Sequence, residues 1–153
     1  MVSEIWSLIF FFSPFFHRKA WYEWAPQPSS DFSGITISAG DNIVLSVTAF
    51  SKNSGEATIV NLSNGQSVTQ QLTSDQALCL NDAEWIVEDY RANDNLVPLT
   101  NFGSMTFSNA FASNPDGILF DPSGANLVDI TQNGKVLTQT SAYGSSVTIN
   151  YVA

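Results

Sequence analysis

The chain has 153 residues, 44% hydrophobic and 12% charged, with a formal net charge of −9, which is one domain's worth of sequence and enough for a real core. Its 14 acidic residues against 5 basic ones exclude a phosphate-binding surface, because nucleic acid and anionic membranes are held by Lys and Arg clusters absent here. One cysteine, Cys79, and one histidine, His17, exclude an internal disulfide and make a zinc site implausible.

Residues 1–19 differ in composition from the rest of the chain. Ile5 to Phe16 is an apolar run, shorter than a membrane span and interrupted by Pro14. Glu4 precedes it, Arg18 and Lys19 come after it, and no small-residue cleavage site ends it, so it does not fit a signal peptide. We expect residues 1–19 to be an atypical leader outside the fold, and residues 20–153 to form the domain. From residue 20 onward the balance is 13 acidic against 3 basic. This composition suits work at low pH, where protonation relieves the repulsion among carboxylates.

After residue 20 the pattern is β throughout. Ile43, Leu45, Val47 and Ala49 alternate with Val44, Ser46 and Thr48, the period of a strand with one buried face. Glu56–Leu62 and Gln66–Leu72 flank Asn64-Gly65, a hairpin signal. Residues 83–90, Ala-Glu-Trp-Ile-Val-Glu-Asp-Tyr, predict a strand with Glu84, Ile86, Glu88 and Tyr90 on one face and Trp85, Val87 and Asp89 on the other. Glu84 and Glu88 would then stand about 13 Å apart, too far to act as a carboxylate pair. Met105–Ala110, Leu127–Gln132, Lys135–Gln139 and Val147–Val152 continue the series, and Asn133-Gly134 marks a second tight hairpin. No segment sustains a helical period. Short strands joined by Gly, Asn and Ser turns predict an all-β antiparallel sandwich of two packed sheets. The irregular stretches Ala25–Gly34, Arg91–Pro98 and Ser113–Gly124 are the loops expected to carry binding. Asn61-Leu62-Ser63 would permit N-glycosylation on a secretory route.

Several blocks come in one order: Trp21-Tyr22-Glu23-Trp24, the run from Asp31-Phe32-Ser33-Gly34 to Gly40-Asp41, Thr58-Ile59-Val60-Asn61-Leu62, Gly65-Gln66-Ser67-Val68-Thr69, Ala83-Glu84-Trp85-Ile86-Val87-Glu88-Asp89 and Asn101-Phe102-Gly103. Together they resemble the fungal glutamic peptidases, or eqolisins, from about Ala20 to the C-terminus. The resemblance implies a concanavalin-like sandwich, secretion, a polypeptide substrate and acid endopeptidase activity from a Glu–Gln dyad. It implies no metal or organic cofactor. The family's glutamate corresponds to Glu88. Its glutamine lies in an Ile-Leu-Gln-Thr-Gly motif that should precede Trp21, and none of Gln27, Gln66, Gln70, Gln71, Gln76, Gln132 or Gln139 stands in such a motif. The resemblance therefore covers the C-terminal two-thirds or so of a mature enzyme. It implies a chain truncated at its N-terminus and with little or no activity alone, since losing one oxyanion donor costs about 10²–10³-fold in turnover.

Trp21 and Glu23 resemble cleft residues that line the substrate site, and Ala25–Gly34 resembles a mobile flap. Ala25 stands where a tyrosine is common, and Gln-Pro-Ser-Ser replaces a tyrosine-rich stretch, which puts flap closure and substrate preference in doubt. Cys79 resembles a cysteine whose disulfide partner belongs to the missing region. Trp24 and Trp85 are expected to be packing aromatics. Glu84 and Asp89 are expected to be structural. The protein is expected to be a monomer. Two rival readings stand beside the peptidase: a carbohydrate-binding sandwich, which needs no dyad, and a non-catalytic remnant whose unpartnered strands expose open edges.

Overall fold

A computed structural model describes residues 6–10, 20–88, 91–92 and 95–153, with the backbone alone for 6–10, 91–92 and 95. Their order is all-β, and a single 3-10 turn at Pro122–Gly124 is the only helical element among the described residues. All strand pairs are antiparallel. The chain divides into two units, residues 1–82 and 83–153.

The first unit holds six strands: β1 (Trp6–Phe10), β2 (Ala20–Trp24), β3 (Ser30–Asp31), β4 (Ile43–Ser51), β5 (Ser54–Asn61) and β6 (Gln66–Thr73). They form two sheets, β1-β2-β3 and β4-β5-β6. Strand β5 is central in its sheet, and strict alternation buries Gly55, Ala57, Ile59 and Asn61 on one face. Ala57 and Ile59 pack with Ala20, Phe32 and Ile37, and Tyr22, Ile43, Leu45 and Val68 close around them. The inner faces of the two sheets therefore share one core, the solution that period-2 sequences reach when each sheet has one apolar face. Much of the expected leader lies outside the described residues. The backbone of Trp6–Phe10 pairs with β2 in the register Trp6↔Trp24 to Phe10↔Ala20.

Asn64-Gly65 ends a four-residue loop rather than forming a two-residue turn. The ladder closes at Asn61↔Gln66, the Gly65 N–H donates to the Asn61 carbonyl at 2.8 Å, and Gly65 has φ +74°. Asn61 itself is fully buried. Its Nδ2 donates to the Thr36 carbonyl at 2.9 Å and to Asp41 Oδ2 at 2.7 Å, while its Oδ1 accepts from the Ser63 N–H at 2.9 Å. This corrects the glycosylation expectation. In the folded chain the nitrogen that would carry a glycan is a committed donor in the interior, and the sequon serves instead as a structural turn.

The second unit carries β7 (Arg91–Ala92), β8 (Asn95–Leu96), β9 (Ser104–Phe107), β10 (Ala112–Ser113), β11 (Leu119–Phe120), β12 (Thr131–Gln132), β13 (Lys135–Val136), β14 (Thr138–Tyr143) and β15 (Ser146–Tyr151). Strand β15 lies between β14 and β9 and buries Val147 and Ile149. Asn133-Gly134 forms the expected two-residue hairpin, with φ +50° and +78° and the register Gln132↔Lys135, as a type I′ turn requires. The strand expected over Leu127–Gln132 is reduced to β12. Side chains take the bonds a ladder would use there: the Ile130 N–H donates to Thr138 Oγ1 at 2.8 Å and the Thr140 N–H to Asp129 Oδ1 at 2.7 Å.

Asp121 caps the 3-10 turn, accepting from both the backbone N–H and the hydroxyl of Ser123. These bonds, the hydroxyl first, hold its carboxyl below the ordinary aspartate value. A depressed folded value means the cap stabilises the fold above the unfolded carboxylate range, and that contribution disappears as pH falls through the folded value. Asp121→Asn should lower the melting temperature at pH 7, with a deficit that shrinks toward pH 2. A deficit of equal size at both pH values would show that the charge contributes nothing.

Candidate active site

Alternation on β2 sorts its side chains into two sets. Ala20 and Tyr22 join the core, and Trp24 is buried with its indole N–H donating to the Gln76 carbonyl at 3.0 Å. Trp21 and Glu23 therefore share the opposite face, directed away from the core, and both are half-buried. The sequence expectation that these two stand together on one strand face is met by the geometry. Trp21 lies opposite Asp31 of β3 in the ladder.

The stretch Ala25–Gly34 leaves β2 and returns as β3. The Gln27 N–H donates to the Trp24 carbonyl at 2.8 Å, and Gln27 Nε2 donates to Ser74 Oγ at 2.9 Å. At the far end Phe32 is buried, packs edge-on against Tyr22 at a centroid distance of 4.8 Å, and donates its N–H to the Ala20 carbonyl. Residues 26–31 between these anchors are exposed. Both ends of the loop are pinned, and its middle, which carries Pro26, Pro28 and Ser29, faces solvent.

Sequence reading missed the role of residues 74–78. This segment receives the Trp24 and Gln27 bonds, and its Leu78 N–H donates to the Lys52 carbonyl at 2.7 Å. Leu78 is buried. The signal was weak, because Ser74-Asp75-Gln76 reads as an ordinary polar connection. Cys79 is exposed, with a free thiol.

Glu88 belongs to the second unit. The strand predicted over 83–90 is a correction: residues 83–88 lie outside any strand, and Asp89 and Tyr90 lie outside the described residues. The predicted alternation nevertheless holds over 84–88. Trp85 and Val87 are half-buried, while Glu84, Ile86 and Glu88 are exposed. The segment has the two-faced exposure of a strand without a ladder neighbour among the described residues. Side-chain period is local, whereas a ladder needs a second segment at about 4.8 Å.

Comparison with known proteins gives this geometry a context. Residues 15–151 match the model of the Peptidase A4 family. Aspergillopepsin-2 from Aspergillus niger is 52% identical over 135 residues, covering 87% of this chain and 48% of that protein. Scytalidopepsin B from Scytalidium lignicola is 38% identical over 141 residues, covering 87% and 54%. The chain thus spans about half the length of the curated relatives it matches. The crystal structure of aspergilloglutamic peptidase from Aspergillus niger superposes with a TM-score of 0.86 at 49% identity, over 94% of this chain and 85% of that one. Scytalido-glutamic peptidase, solved with a peptide-based transition-state analogue, gives 0.80 at 37% identity, over 88% and 69%. Antiparallel sheets, a family match across most of the chain and relatives 38% and 52% identical lead to one assignment: the chain belongs to the Peptidase A4, or eqolisin, family.

Proposed function

We propose that this chain is the glutamate-bearing part of a secreted acid endopeptidase, with Glu88 as general base and then general acid. Ionised Glu88 takes a proton from water as the oxygen attacks the scissile carbonyl carbon. The tetrahedral oxyanion is stabilised by a carboxamide donor. The glutamic acid then returns its proton to the departing amine, the C–N bond breaks, and the carboxylate is restored. Trp21 and Glu23 bind the polypeptide substrate beside the Ala25–Gly34 loop.

The observation that carries this reading is the exposure of Glu88 on a segment whose alternate residues, Trp85 and Val87, are half-buried, in a chain 52% identical to aspergillopepsin-2. A carboxylate so placed is open to water and substrate, as a base must be. The carboxamide is the part not supplied by these 153 residues, since no Gln stands in a Leu-Gln-Thr-Gly context. The chain alone should leave denatured casein intact at pH 3. The same chain joined behind the corresponding N-terminal portion of aspergillopepsin-2 should cleave it. An active isolated chain, or an inert chimera that folds, would refute the shared-dyad reading.

A further inference from the structure

We propose that Asn133 is a site of spontaneous covalent modification, deamidating through a cyclic imide at neutral pH, while the fold protects the chemically identical pair Asn64-Gly65. The sequence contains Asn-Gly at 64–65 and at 133–134. Glycine after asparagine favours the reaction, because no Cβ obstructs the approach of the following backbone nitrogen to the asparagine side-chain carbon. All four residues are exposed, and the two glycines have φ +74° and +78°. Exposure and glycine conformation therefore do not separate the two pairs, and hydrogen bonding does. At the first pair the attacking nitrogen is engaged, since the Gly65 N–H donates to the Asn61 carbonyl at 2.8 Å. The Asn64 side chain is fixed as well: its Oδ1 accepts from the Gln66 N–H at 3.0 Å, and its Nδ2 donates to the Thr36 carbonyl at 3.1 Å and to Gln66 Oε1 at 3.2 Å. At the second pair no hydrogen bond among the described residues holds the Asn133 side chain or the Gly134 N–H. The turns also differ in what closes them. Asn64-Gly65 caps the β5–β6 ladder of eight residues a side, whereas Asn133-Gly134 caps only the pairs Thr131↔Val136 and Gln132↔Lys135. So short a ladder opens locally at little cost, and opening frees the turn to reach the geometry of ring closure.

Hydroxide takes the proton from the Gly134 nitrogen, which attacks Cγ of Asn133. The N–Cγ bond forms, the Cγ–Nδ2 bond breaks, and the side-chain nitrogen leaves as ammonia with a proton from water, which regenerates hydroxide. Water then adds to either carbonyl of the five-membered imide and opens it to aspartate or isoaspartate at position 133. Nothing is oxidised or reduced. Both products add a carboxylate to a chain whose net charge is already −9. Isoaspartate also inserts a carbon into the main chain of a tight turn, next to Gln132, whose Nε2 donates to the Val97 carbonyl at 2.9 Å. Because hydroxide starts the reaction, acid preserves Asn133 and neutral pH consumes it.

The proposal stands or falls independently of the peptidase reading. The test is incubation of the full chain at pH 4 and at pH 7.5, with each asparagine followed by peptide mapping and mass spectrometry. At pH 7.5 Asn133 should convert roughly tenfold or more faster than Asn64, the difference a local restraint imposes. Isoaspartate, detected by enzymatic methylation, should be among the products, and at pH 4 both residues should persist. In guanidinium chloride at pH 7.5 the two rates should come within about twofold of each other, because unfolding removes the bonds that hold Asn64 and Gly65. No conversion of Asn133, equal rates at the two sites in the folded chain, or a product that is aspartate alone would overturn the proposal. So would a preference for Asn133 that persists undiminished in denaturant, since the selectivity would then belong to the neighbouring sequence and not to the fold.

Discussion

Glu88→Gln in the chimera that restores casein cleavage should reduce kcat by roughly 10²–10⁴-fold, the range for a general acid–base residue. The substitution preserves shape and removes only proton-transfer capacity, because an amide neither takes the proton from water nor returns it to the amine. KM should change little, since in the proposed mechanism Glu88 moves protons and does not hold the peptide. Glu84→Gln is the matched control. Glu84 is exposed on the same side of the segment, carries the same charge and has no assigned chemistry, so its variant should stay within about twofold of the parent, as ordinary for a surface change. A Glu88→Gln enzyme retaining a tenth or more of parental turnover would remove the base from the mechanism.

Asn61→Ala should destabilise the chain by about 3 kcal/mol, through three lost hydrogen bonds and a small cavity at a fully buried site. For a chain of this length that corresponds to a fall of roughly 6–12 °C in melting temperature. Asn61→Asp is more informative about cause. It replaces the Nδ2 donor facing Asp41 Oδ2, 2.7 Å away, with a second carboxylate. Two carboxylates at that distance cannot both ionise, so the variant binds an extra proton in its folded state and its folded carboxyl value is raised. Its stability deficit should be large at pH 7 and shrink as pH falls. The measurement is thermal unfolding by circular dichroism at pH 3 and pH 7. An Asn61→Asp deficit that does not change between the two would show that the Asp41 contact is not felt. Intact-mass analysis of chain secreted by a eukaryotic host should find no glycan at Asn61.

The order of strands was legible because side-chain period is a local property. β4, β5 and β15 fall where apolar and polar residues alternate, and Asn133-Gly134 forms its turn from the φ preferences of two residues, whereas β14 runs on to Tyr143, beyond the strand expected over Lys135–Gln139. Other features depend on distant segments. Asn61 reads as a sequon, yet Thr36 and Asp41, more than 19 residues upstream, turn it into a buried hub. Leu127–Gln132 reads as strand, but only Thr131–Gln132 pairs, and the Ile130 and Thr140 N–H groups go to the side chains of Thr138 and Asp129.

The same division runs through the candidate site. The ordered motifs around Trp21, Glu23 and Glu88 sufficed for the family, and alternation alone sorted Trp21 and Glu23 from Tyr22 and Trp24. That Glu88 sits on a segment outside any strand, and that Ser74–Leu78 anchors the Ala25–Gly34 loop, required tertiary structure. A sequence determines which face each side chain prefers, because that preference is set within a few bonds. Whether a ladder forms, a polar group is buried or a loop is anchored is decided by groups far along the chain, and only folding brings those together.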